Sequence, residues 1–378
     1  MKNNITMQIL FKIQKSLKLH LLLCIGIFPF YGKSAIITVD NTTGVKANYT
    51  TISAAITAAN AGDTIIVMPT DKHYAENINI TKKLYIYSRG HTSKFESSKS
   101  ATIDGSINFN TGSDYTIFSG FYINVPAYVG QITFTGNYIN FINNYASRMN
   151  VYYGDFFIYI RGSSCIIQGN VLKTDFTNFY FESGGAYPSN NQILNNLIIQ
   201  SGGSPVAVNG YSSNIFNHNV MVETQTTSGK GINFFSNSYV KVYNNILWSK
   251  ASGRTSFDTG SIYTNFRNNL TYSANSSVRN LPGAGNINDT MPEFETSFSS
   301  SNPPDFNVNN NFRLKAGKLG KNASTDSTDI GLFGGDFNFS MEGNTPGCGV
   351  FDDFFVVNPV VRKKSNLKVK IVVRKPEQ

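Results

Sequence analysis

The chain is poor in the residues that most often mark chemistry. Its 378 residues hold one Trp, three Cys and four His. One of the histidines, His20, lies in the leader, and the three beyond it argue against a histidine-rich metal centre; no metal site is expected. Two cysteines, Cys165 and Cys348, follow the leader, and two do not make a disulfide framework. Cys165 reads as a small core residue. Charge is scarce as well, at 15% of residues, and with 40% hydrophobic content this excludes a highly charged disordered chain. After the first segment no apolar run approaches the roughly 20 residues of a spanning helix, so no transmembrane segment is expected once the leader is removed.

The net charge of +9 misleads about partners. Residues 1–34 hold five lysines and no acid, and the last 18 residues carry a net +6, which leaves −2 on residues 35–361. A basic total would point to nucleic acid, but the body of the chain is nearly neutral, so no nucleic-acid partner is expected. The leader itself has the layout of a signal peptide. A basic region up to Lys18 precedes the apolar stretch LLLCIGIFPF (21–30), and Gly32 and Ser34 form a small-residue cleavage pair. Export through a cleaved signal, to periplasm, outer surface or medium, is the expectation, with residues 1–34 removed.

What is abundant is aromatic and repetitive. There are 29 Phe and 20 Tyr, and six segments share one pattern: YINFINNYAS, SCIIQGNVLK, NQILNNLIIQ, NIFNHNVMVE, VKVYNNILWS and TNFRNNLTYS. They align on Asn144, Asn170, Asn196, Asn219, Asn245 and Asn269, spaced 26, 26, 23, 26 and 24 residues apart. An upstream copy, YTIFSGFYIN, places Gly120 in the Asn position. Three residues before each Asn, and one after, the chain is apolar in every copy; the residue just before it is Asn143, Gly169, Asn195, His218, Asn244 or Asn268. Period-two alternation on both sides of a bend that tolerates left-handed backbone reads as strand, tight bend, strand.

A unit of about 25 residues with strands and no helix closes one turn of a solenoid. Stacked at the roughly 4.8 Å strand spacing, equivalent asparagines lie above one another and their amides donate and accept along the column. Phe, Tyr and β-branched residues fill the interior. The leucine-rich repeat, which also has an Asn column, demands leucine at several fixed positions and usually a helical return. Here the returns, such as SGGSPVA and TTSGKG, are polar and glycine-rich.

The stretch TTISAAITAANAGDTIIVMP (50–69), followed by INITKKLYIYSRG and ATIDG, resembles the opening of the right-handed parallel β-helix, or pectin-lyase-like, superfamily. That resemblance implies an amphipathic helix over the first coil and a Gly-Asp-Thr turn into the first strand. Independently, Ile52, Ala55, Ile56 and Ala59 share a helical face with Gly62 as a stop. A departure follows, since TDKH separates Pro69 from Tyr74. The stretch NNNFRLKAGKLGKNASTDSTDIGLFGG (309–335) resembles the closing coil of exported bacterial β-helix proteins, with Lys318-Leu319 where these carry Ser-Pro. The expected fold is therefore all-β, a single-stranded right-handed parallel β-helix with an N-terminal capping helix, over residues 35–340. Residues 276–308 read as an irregular insertion. The remainder, 341–378, reads as a short strand pair, FFVVNPVV and LKVKIVV, joined by RKKSN.

Enzymes of this superfamily act in a groove on the outside of one parallel sheet. Phasing the coils from the Asn column predicts strands at 132–134, 156–160, 179–182, 206–208, 232–234 and 256–258. Thr133, Tyr159, Tyr180, Glu182, Asn209, Asn233 and Asp258 then face outward, with Asp155, Lys173, Asp175, Glu223, Lys230 and Arg254 in neighbouring loops. Tyr159, Tyr180, Glu182, Asn233 and Asp258 are the substrate-groove candidates, the tyrosines as platforms for sugar rings. Glu182 and Asp258 lie three coils apart, roughly 14 Å at the strand spacing, too far for a hydrolytic pair. Asp326 and Asp329 lack an EF-hand ligand series, and His218 reads as a bend substitution. No cofactor is expected, calcium entering only if the chain is a lyase. The reading is an exported rod that binds polysaccharide or cell-surface glycan or serves as a surface component. The alternative is a polysaccharide lyase or glycoside hydrolase acting on an acidic polysaccharide.

Overall fold

The computed structural model describes residues 34–92, 100–127, 130–148, 156–175, 177–181, 188–201, 206–208, 213–224, 232–233, 240–250, 257–258, 265–273, 280–344, 350–356 and 369–374. From Ile36 to Ser273 the chain coils, and between Thr102 and Val208 each full turn lays down one short strand in each of three parallel sheets. One turn shows the pattern: Asn140–Ile142 in the first sheet, Tyr145–Arg148 in the second and Phe156–Ile160 in the third. The first sheet has ten strands, the second eight and the third six, each strand pairing with its counterparts one coil earlier and later. The molecule is thus an all-β parallel β-helix, and the twist of parallel strands makes such crossovers right-handed. A seven-residue helix, Ile52–Ala58, stands before the first complete turn. Thr51 Oγ1 caps it by accepting from Ala54 N, and Ile52, Ala55 and Ile56 are buried with the coil interior.

The six asparagines of the repeat stand in file and are fully buried. Along the column from Asn144 to Asn269, each backbone N–H donates to the next coil's Oδ1 at 2.8–3.0 Å. Each Nδ2 donates to that same oxygen at 2.9–3.2 Å. The other Nδ2 hydrogen goes back to a main-chain carbonyl of the preceding coil, as in Asn219 to Ile193 O at 2.8 Å. Every amide therefore ties its own coil to both neighbours. Inside, aromatic rings stack in the same rhythm: Phe109 on Phe134 at 4.9 Å, and Phe118 on Phe141 at 5.9 Å and 10°.

Three sequence expectations change. Gly120 does not take the Asn place: register pairs Ile117 with Asn140, which sets Gly120 beside Asn143 and Phe121 beside Asn144. Gly120 (φ +89°) is the left-handed bend residue, as are Asn143, Gly169, Asn195, His218, Asn244 and Asn268. The supposed insertion at 276–308 continues the coil's bonding. Asn286 Oδ1 accepts from Asn269 N and Nδ2, both at 3.0 Å, and Ile287 bridges to Leu270 in parallel. A span of 17 residues, not about 25, hid this last rung.

Most consequentially, residues 309–335 form no closing coil. They belong to a strap that covers the outside of the second sheet and climbs back along the bends, against the direction in which the coils were laid. Asn268 Nδ2 donates to Ala323 O, Asn244 Nδ2 to Thr325 Oγ1, and His218 Nε2 meets Asp326 Oδ2 at 3.0 Å. Asn195 Nδ2 donates to Leu332 O and Gly334 O, and Asn143 Nδ2 to Asn344 O. At Gly169 a Cβ would lie 2.5 Å from the Phe337 ring, so the bend there admits only glycine. Asn344, the last described residue of the strap, lies past residue 340.

The apolar residues just after each ladder Asn thus do not fill the coil. Tyr145, Val171, Leu197, Val220, Ile246 and Leu270 form a second core with Phe294, Phe312, Leu314, Ile330, Leu332 and Phe339 of the strap. Beyond it, Val350–Val356 and Val369–Arg374 pair antiparallel, the first of these beginning four residues before Phe354.

Asn219→Ala removes hydrogen bonds to both neighbouring coils and strands buried partners, each at about 1–3 kcal/mol. It is expected to lower stability by about 2–4 kcal/mol in denaturant melts, against less than about 0.5 kcal/mol for Asn265→Ala, an exposed first-sheet position. Asn195→Gly keeps the left-handed bend but loses both strap bonds. Faster hydrogen exchange confined to residues 325–337 is expected; unchanged exchange there would contradict the latch.

Candidate functional site

The outward face of the third sheet is set by the same alternation that packs its inner face. Ile78, Ile107, Ile132, Ile158 and Phe179 are buried on one side. Between them Asn79, Asn108, Thr133, Tyr159 and Tyr180 point away from the core, and register places them in one column: Asn79 beside Asn108, then Thr133, Tyr159 and Tyr180. Tyr159 and Tyr180 rings meet at 4.9 Å, tilted by 60°, and the Arg161 guanidinium lies 5.4 Å from the Tyr159 centroid. Asn108 Nδ2 donates to Asn79 Oδ1 at 3.1 Å. The result is a ridge that is polar at one end and aromatic at the other.

Of the predicted groove residues, Thr133, Tyr159 and Tyr180 are thus brought together. Asn233 and Asp258 are backbone register partners in a separate two-stranded ladder; their side chains are outside the described residues. Glu182, Asn209, Asp155, Lys230 and Arg254 also lie outside them. Lys173 is held by Asp305 of the strap at 2.9 Å, and Asp175 accepts from Ser201 Oγ at 2.6 Å. Asn79 and Asn108 lie in coils before the first strand that the Asn column phases, at 132–134, and Arg161 lies one residue past the strand end at Ile160. The signal for the two asparagines is the alternation in INI and INF.

Glu223 is no loop residue beside the groove. It ends the strand Val220–Glu223, and alternation turns it inward, in register with Gln200 and Ser249. Arg148, Thr174, Gln200, Glu223, Ser249 and Ser273 form a buried polar column down the second sheet. Burial pushes the Glu223 carboxyl up to about 7, although Ser249 Oγ donates to its Oε2 at 2.6 Å. Its Oε1 has no hydrogen-bond partner among the described residues. Trp248 is also buried, edge-on to Tyr272 at 4.8 Å, and so supplies no platform for a ligand.

The remaining candidates have structural occupations. Burial alone would raise Asp326, but hydrogen bonds from Ser324, Thr328 and His218 outweigh it and hold the carboxyl well below the usual range. Asp329 is paired with Lys321 at 2.7 Å. Among the described residues no three His, Cys, Asp or Glu side chains gather where a metal ion could be held. Cys165 is buried in the coil, and burial lifts its thiol to about 11. Among those residues, too, no helix is long and apolar enough to cross a membrane.

No family model and no curated protein matches the chain. Among solved structures it is similar to the crystal structure of pectate lyase Pel9A, with 15% identity and a TM-score of 0.43 over 80% of this chain and 97% of that one. This likeness carries no reactive group across.

A buried carboxyl near 7 gives a pH signature. The unfolded carboxyl, near 4.5, ionises first, so stability held at low pH drains away as pH rises through about 7. The melting temperature is expected to fall between pH 5 and 8, with Glu223→Gln removing roughly 3 °C or more of that fall. Equal slopes for both proteins would refute the burial of an ionising group.

Proposed function

We propose that the protein is an exported rod that binds an extended glycan along the outward column of the third sheet, without acting on it. The observation that carries this reading is the in-register pair Tyr159 and Tyr180, prolonged by Thr133, Asn108 and Asn79. A repeating polymer suits a column that repeats at the coil spacing. Aromatic faces stack on the apolar faces of sugar rings, the amides and hydroxyl bond sugar hydroxyls, and Arg161 favours an acidic unit. The acid and base groups expected around the groove support binding rather than chemistry: Lys173 lies in a second-sheet strand and not in a loop, paired with Asp305, Asp175 accepts from Ser201, and Glu223 lies within the coil, while Arg161 stays against the Tyr159 ring. The leader's basic and apolar layout supports export.

Affinity electrophoresis through gels containing neutral and uronate polysaccharides tests the reading. Retardation by at least one polymer is expected, with Tyr159→Ala plus Tyr180→Ala weakening it roughly thirtyfold, since ring contacts contribute about 1 kcal/mol each. Unsaturated product absorbing in the ultraviolet from a uronate polymer, abolished by a groove substitution, would replace this reading with the lyase.

A further inference from the structure

The turns that lead from the third sheet into the first carry a second aromatic feature on another edge of the coil. First-sheet register aligns, two residues ahead of each strand start, Lys83, Tyr115, Tyr138, Ser164, Asn190 and Ser213. Four of these have left-handed backbone: Tyr115 (φ +64°), Tyr138 (+56°), Ser164 (+59°) and Asn190 (+59°). Asparagine and serine tolerate that region; a bulky aromatic adopts it uncommonly. Yet both tyrosines stand outside the core, 53% and 46% exposed. Their rings are parallel to within 2° and 4.6 Å apart, with Lys83 Nζ 5.9 Å from the outer Tyr115 ring.

The turns are rigidly held. Asn137 N donates to Asp114 Oδ1 and Ser163 N to Asn137 Oδ1, both at 2.9 Å, and Ser189 N to Ser163 Oγ at 3.0 Å. The two rings thus keep the coil's own spacing, and at the next coil the column drops from a phenol to the short side chain of Ser164. Among the described residues this leaves a shelf one ring thick, at the coil's strand spacing. The Tyr138 face forms one wall and Asn190 the other, its Oδ1 accepting from Ser213 Oγ at 2.7 Å.

We propose that this shelf is a sugar-binding subsite in which a pyranose ring takes the third place in the ring stack. The glycan identity rests on the binding reading above; the site is separate from the Tyr159 and Tyr180 column. Tyr138 offers a flat apolar face, whereas Ser164, Asn190 and Ser213 supply hydroxyl and amide groups at the ring's edge. That pairing of one apolar face with a polar rim matches a pyranose. An aromatic guest would leave the polar rim facing an apolar edge.

The test uses the full chain in affinity gels of hydroxyethylcellulose, xylan, alginate and polygalacturonate, with thermal melts alongside. Tyr138→Ala is expected to weaken retention roughly fivefold on a polymer the protein binds, while Tyr138→Phe retains it, because stacking needs the ring and not the hydroxyl. Ser164→Tyr fills the shelf with the protein's own third ring and is expected to weaken retention as much, with a cooperative melt showing that the variant is folded. Retention unaltered by Tyr138→Ala and by Ser164→Tyr overturns the subsite. If Tyr159→Ala plus Tyr180→Ala alone abolishes retention, the column reading stands and the shelf falls; if the Tyr138 and Ser164 variants alone do so, the reverse holds. Retention by none of the four polymers, or displacement from the shelf by indole and not by oligosaccharide, also overturns it.

Discussion

The structure depends on one buried interaction, the amide column that runs from Asn144 through Asn269 to Asn286. An asparagine side chain presents one acceptor and two donor hydrogens, and here each is used across a coil boundary. A slip of one residue toward the C-terminus would place an apolar side chain against these groups and orphan them in a dry interior, which is why the register holds despite coil lengths that vary. The hydrophobic stacks inside tolerate considerable exchange, Phe141 sitting above Ile167 and Ile193 above Phe216. The amides tolerate none in the six coils that carry them.

Paired asparagines in the repeat do two different jobs. The second of each pair faces inward and binds coil to coil. The first adopts left-handed backbone, turns the chain, and offers its own amide to the strap. This division explains why the second position is invariant from coil to coil while the first accepts His218 or Gly169: the inner place must reproduce one bonding pattern, and the outer place only has to fit the strap segment that passes it. His218 meets a carboxylate, and Gly169 makes room for a phenyl ring.

The coil was legible in the sequence because its constraints are local and repeated. Strand positions, bend and ladder all recur at nearly fixed spacing, and outward Thr133, Tyr159 and Tyr180 followed from alternation alone. The strap was not legible. It joins residues some 55 to 200 positions apart, and its bonds go largely to main-chain oxygens, which leave no mark in side-chain pattern. Glycine-rich, polar residues 309–335 look the same whether they close a coil or lie along one. Glu223 was misplaced for a related reason: a charged residue at a strand end looks like surface until the parity of the strand is followed through. Tyr115 and Tyr138 do share an offset in the repeat. Their exposure and shared ring plane emerge only when the turns are built.

The strap gives the molecule a temporal asymmetry. Synthesis proceeds from the first coil onward, and domains generally begin to fold from the leading end. The coils can therefore stack as they emerge, each amide meeting the one before. Yet the oily stripe from Tyr145 to Leu270 stays wet until residues 280–344 arrive, and the strap reaches the older coils last, where Glu342 O accepts from Thr92 N and Asn344 O from Asn143 Nδ2. The finished rod is sealed in the reverse of the order in which it was wound, so a chain cut short before residue 280 would wind and yet keep an adhesive flank.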